Sequence, residues 1–160
     1  MAVRENRAPE LQRTTREVLW TGVMLGMGLV GAVDEIVFHQ LLQWHHFYLH
    51  TTQYWQIFSD GVFHIFTTTM LFLGALLLWS QRRRLSLIVS SRPFWAGVFL
   101  GMGGFQLFDG TVDHKLLRIH PVREGVENIL PYDIAWNASA LALLLIGWLL
   151  WRGTWPTAGR

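Results

Sequence analysis

The chain has no cysteine, which excludes disulfides and thiolate ligands, so any bound metal would have to be held by imidazole, carboxylate or thioether groups. Charge is also scarce. Only 15% of the 160 residues are charged, against 51% hydrophobic, an unusual balance for a soluble protein of this size. The net charge of +2 comes mainly from arginines outside the apolar stretches and speaks to topology rather than to nucleic-acid binding. Neither HExxH nor a zinc-finger spacing occurs. The basic segment 1–17 precedes an apolar stretch that is too long for a signal peptide, carries Asp34 and Glu35 and lacks a small-residue cleavage pattern. It reads as a retained first helix.

Apolar length is what the chain has in abundance. Residues 18–42, 56–79, 94–117 and 134–151 each have enough of it to cross a hydrocarbon layer that needs about 20 helical residues. Trp20, Trp44, Trp55, Trp79, Trp95, Tyr132 and Trp151 lie near the ends of these stretches, where amphipathic rings favour the membrane interface. The expected fold is an all-α membrane protein, a bundle of four transmembrane helices. Residues 1–17 form a cytoplasmic tail, 18–80 a first hairpin, 81–93 a basic loop, 94–152 a second hairpin and 153–160 a C-terminal tail. Arg4, Arg7, Arg13 and Arg16 before the first span, Arg82, Arg83, Arg84 and Arg92 in the middle loop, and Arg152 and Arg160 at the end put both termini and the middle loop in the cytoplasm. Residues 43–55 and 118–132 then face outward.

The two halves resemble each other. GVMLGMGLVGAVDEIVFHQLLQWHH from Gly22 aligns with GVFLGMGGFQLFDGTVDHKLLRIHP from Gly97 at a constant offset of 75, matching Gly26 with Gly101, Met27 with Met102, Asp34 with Asp109, His39 with His114 and His45 with His120. The second helices align more weakly at an offset of 73, through Asp60 with Asp133, His64 with Asn137 and Gly74 with Gly147. Each half has an even number of spans, so the hairpins should run parallel about an axis along the membrane normal. Gly22, Gly26, Gly97 and Gly101 read as packing residues that let the first and third helices approach closely.

Polar groups at membrane depth are costly and usually face the bundle interior in service of a pathway or a ligand. At 100° per residue, Glu35, His39 and His46 fall within about 40° of one another on the first helix, and Asp34 and His45 form a second stripe. Asp109, Asp113 and His120 carry that second stripe into the third helix, leaving His114 on another face. The second helix adds Asp60 and His64 one turn apart. Imidazoles with one or two carboxylates on facing helices make a site for copper, zinc or iron. The expected set is His39, His64 and His114 with Glu35, Asp60 or Asp109, and His45, His46 and His120 near the outer mouth. His50 reads as a solvated loop residue. Three other readings compete: a haem held between His39 and His114, a membrane hydrolase or oxygenase with Asp60 or Asp109 as general base, and a subunit that only packs within a larger complex.

The segments VDEIVFHQLLQWHH, FDGTVDHKLLRIHPVR and SDGVFH resemble DUF2243, a family of bacterial membrane proteins of unknown function, over nearly the whole chain from Thr21 to Trp151. The resemblance implies a four-helix inner-membrane protein in contact with lipid. It points toward copper handling or the assembly of a respiratory oxidase, with self-association left open, and supplies no established activity. Glu35 stands where the family's first motif would carry glycine, as Gly110 does in the second half.

Overall fold

The computed structural model describes residues 7–89 and 91–154; the outermost parts of the expected tails, 1–6 and 155–160, lie outside these. All described secondary structure is helical. Helix α1 spans Arg7–Val33, so much of the expected tail is helical, and it runs into a π-helical segment, Asp34–Leu41. Helix α2 spans Gln53–Ser80, a short helix α3 spans Leu85–Val89, and α4 spans Arg92–Phe108 before a second π-helical segment, Asp109–Leu116. Helix α5 spans Leu130–Arg152. Pro93 and Pro131 sit in the first turns of α4 and α5, where a missing N–H costs nothing.

Thr15–Leu41, Gln53–Ser80 and Leu130–Arg152 are long and apolar enough to cross a membrane. The stretch 94–117, expected as a span of the same kind, is less apolar because its second half holds Gln106, Asp109, Asp113 and Lys115. Helices α1 and α4 pack on each other along the centre, with α2 against α1 and α5 against α4. The central contact depends on glycine. A Cβ at Gly22, Gly26, Gly97 or Gly101 would lie 2.1–2.3 Å from a carbonyl oxygen of the facing helix, so any side chain there would push the backbones apart.

The molecule is apolar outside and polar inside. Ile57, Phe58, Ile65, Phe72 and Trp79 on α2 and Ile134, Leu141, Leu145 and Trp148 on α5 are exposed, a surface far larger than a water-soluble monomer tolerates. Asp34, Glu35, His39, His45, Asp60, Asp109, His114 and His120 are buried. This inversion is what lipid contact demands, since each buried ionisable group would be costly on the hydrocarbon face.

Candidate metal centre

The two π-helical segments build the site. A π turn closes through an i→i+5 hydrogen bond, so residues five apart come round to the same side; in an α-helix they would lie about 140° apart. Asp34 and His39 are five apart, as are Asp109 and His114, and both pairs sit at the starts and within the last turns of π segments. The α-helical stripes that separate Asp34 from His39 are therefore merged. Two residues beyond each segment stands a left-handed residue, Gln43 with φ 49° and Arg118 with φ 52°, which turns the chain back so that His45 and His120 fold under the helix ends.

Two triads result, Asp34–His39–His45 and Asp109–His114–His120. In each, the three ligand atoms lie within 4.8 Å of one another and all three residues are buried. The triads meet: the His45 and His120 rings stack at 4.6 Å and 14°, flanked by His39 at 4.4 Å from His45 and His114 at 4.7 Å from His120. A continuous row of imidazoles thus runs from His39 to His114.

A roof closes over this row. The Leu49 amide donates to the Ile119 carbonyl, the Glu124 amide to the Trp44 carbonyl at 2.7 Å, and the His50 ring to the Arg118 carbonyl at 2.8 Å. The connections 42–52 and 117–129 are thus stitched to each other. His45 Nδ1 donates to the Val122 carbonyl at 2.8 Å, which leaves its Nε2 as a lone pair with no partner. Burial, reinforced by the neighbouring imidazoles, pushes His45 down to about 3 and His120 to about 2, so both rings are neutral, the form in which imidazole binds a metal.

The surroundings of the triads differ. His39 Nδ1 lies 3.1 Å from Asp60 Oδ1 and 3.2 Å from Glu35 Oε2. Asp60 also accepts from His46 Nδ1 at 2.6 Å and from the Phe47 amide at 2.7 Å. These contacts assign the proton to Nδ1 and leave His39 Nε2, buried and unpartnered, on the side of Asp34 at 3.7 Å. A carboxylate behind a ligating imidazole raises its basicity and fixes its orientation. In the other half Asp133 is paired to Lys115, Gly110 replaces Glu35, and neither ring nitrogen of His114 has a hydrogen bond. His114 Nε2 is nonetheless 3.0 Å from Asp109 Oδ2.

The orphaned atoms test whether a metal fits. Buried nitrogens and carboxylate oxygens without partners carry a large desolvation cost, and here they converge: His39 Nε2, His45 Nε2, Asp109 Oδ2 and both nitrogens of His120. Imidazole and carboxylate are a fitting donor set for copper, zinc or iron.

Of the residues expected from sequence, His39, His45, His114, His120, Asp34 and Asp109 come together in the centre. Asp60 comes together with Glu35 and His39 in a further buried group that could hold a metal, and His46 stands behind Asp60. His64 is exposed on α2 and Asp113 is half-buried on the third helix; neither belongs to a group that could hold a metal. The Val122 carbonyl and the Trp136 ring, 5.8 Å from His114, give no signal in the sequence, since a backbone acceptor and a packing ring carry no residue-type signature.

No curated protein and no solved structure matches the chain. The family model described as predicted membrane protein (DUF2243) matches residues 21–154, which takes in α1 from Thr21 onward, the other helices and both triads: the chain belongs to this family.

Proposed function

We propose that the chain crosses a bacterial inner membrane four times, as two parallel hairpins with both termini in the cytoplasm, and holds transition-metal ions in its paired Asp–His–His triads near the outer face. The observation that carries this reading is the set of buried, unpartnered imidazole and carboxylate atoms converging between the hairpins. Copper is the ion we favour, because divalent affinity for such donors peaks at copper. Metal handling, or delivery to a respiratory metalloenzyme during its assembly, suits a site on that side. The offset-75 repeat supports the parallel arrangement: both π segments, both left-handed residues and both triads fall at matched positions.

Metal analysis of the purified protein tests the proposal. Wild type should carry copper, zinc or iron in stoichiometric amount, and the His39→Ala plus His114→Ala double variant should carry none. Equal, background metal in both would sink it, and would favour a packing subunit whose histidines serve stability alone.

A second reading has its own support. Each triad has two histidines and one carboxylate, a composition that leaves coordination positions open in non-haem iron oxygenases. A metal-dependent redox enzyme would then show iron as the tightly held ion and an absorbance spectrum that changes on exposure to dioxygen. A haem protein would show a Soret band.

A further inference from the structure

A cavity of about 340 Å³ lies against Asp34, between α1 and α5, with Val30, Phe38, Trp44, Gln106, Trp136 and Ser139 among its walls. Val33, Ala135 and Ser139 in its lining are exposed, so it opens sideways on the flank of the bundle that meets lipid. Asp34 is only 3% exposed, lines this cavity, and has no partner for Oδ1.

The opposite half carries stacked rings where this half is open. At the positions matched by the two offsets, Phe105 stands for Val30, Phe63 for Trp136 and Phe66 for Ser139. Those three rings stack, Phe63 on Phe105 at 6.1 Å and Phe66 on Phe105 at 6.3 Å. Smaller side chains at two of the three places leave one side of the molecule open.

The polar groups of the cavity specify what enters. Gln106 Nε2 donates both to the Trp136 carbonyl at 3.1 Å and to Ser139 Oγ at 2.6 Å. Ser139 donates to the Trp136 carbonyl, and Trp136 Nε1 to the Gln106 carbonyl. Among the polar atoms of this lining, Asp34 Oδ1 is a fully buried acceptor without a partner. Its occupant must offer an N–H or O–H. The ring walls of Phe38, Trp44, Tyr132 and Trp136 favour a flat apolar body. A cavity of about 150 Å³ holds benzene, so this one, roughly twice as large, takes a ring with a short substituent or tail.

We infer that this cavity binds a phenol dissolved in the bilayer, its ring between the aromatic walls and its hydroxyl donating to Asp34. The inference goes beyond the metal reading and does not require the ion, because Asp34 Oδ2 is the oxygen on the His39 side and Oδ1 stays available.

Fluorine NMR with the full chain in nanodiscs tests it, using para-trifluoromethylphenol and its methyl ether, para-trifluoromethylanisole, with empty nanodiscs as the partition baseline. The metal content of every preparation is measured alongside. Wild type should give a saturable bound signal with the phenol, at least about tenfold weaker with the anisole, because the ether strands the buried acceptor. Ser139→Phe, which copies the filled half, and the milder Ala135→Leu should abolish the signal while leaving metal content unchanged. A phenol signal no different from empty nanodiscs, equal binding of phenol and anisole, or undiminished binding in a folded filled variant would each overturn the inference. The wild-type comparison of phenol with anisole stands even where a filled variant fails to fold. Phenol binding by metal-free wild type would overturn the metal reading alone, and loss of binding with the metal retained would overturn the cavity alone.

Discussion

The two triads carry the same three residues at matched positions, yet the one on the first hairpin is supported and the one on the second is bare. His39 has Asp60 and Glu35 behind it; His114 has neither, because its matched aspartate, Asp133, is taken by Lys115. Duplicated ligands therefore do not make equal sites. What differs is the layer behind the ligands, which governs imidazole orientation and basicity. The first hairpin should hold its metal more tightly, and each outcome below either breaks or sharpens that ranking.

The largest expected effect is on affinity. Asp60→Asn should weaken metal binding about 10–100-fold, the usual cost of losing a carboxylate behind a ligand, whereas Asp133→Asn should change it less than about threefold. Competition with a chelator of known affinity reads both, and equal losses would erase the distinction between the halves.

Next in size is a transplant. Gly110→Glu would give the second hairpin the group that the first has at Glu35, but a Cβ at Gly110 would lie 2.6 Å from Trp136 Cδ1 and 2.8 Å from Asn137 Oδ1. Thermal unfolding in detergent should show a loss of about 1–3 kcal/mol, as for overpacked interiors. A variant as stable as wild type would mean that Trp136 yields, and that packing does not keep the second half bare.

The smallest effect concerns the roof. Arg123 lies 4.9 Å over the Trp44 ring and donates to the Tyr132 hydroxyl at 2.7 Å, joining the connection 42–52 to the connection 117–129. Arg123→Met should cost roughly 1 kcal/mol, in the range of a partly exposed cation–π contact with one hydrogen bond. Hydrogen exchange should then quicken at the Glu124 amide, which donates to the Trp44 carbonyl, and leave the π segments protected. Faster exchange throughout both triads would make the roof part of the site rather than a cover over it.

Much of the fold was legible because membrane crossing depends on local apolar length, and the paired glycines marked the α1–α4 contact without any structure. The site was only partly legible. Asp34, His39 and His45 were identified as polar residues at depth, but His39 was sorted onto a different stripe from Asp34 and His45 because 100° per residue is the geometry of an α-helix and the segment is a π-helix. His64, one turn from Asp60, was grouped with it for the same reason of spacing, although α2 turns His64 outward.

The amino-acid sequence by itself determined that this chain is helical and apolar on its surface, with matched Asp and His positions at an offset of 75, since helix period, hydropathy and spacing are properties of residues taken in order. The tertiary structure alone decided which nitrogens face one another, which carboxylate stands behind which histidine, and on which side a cavity stays open. Those depend on the helical period chosen locally and on contacts between residues as far apart as His45 and Val122, and no property of either residue alone encodes such a meeting.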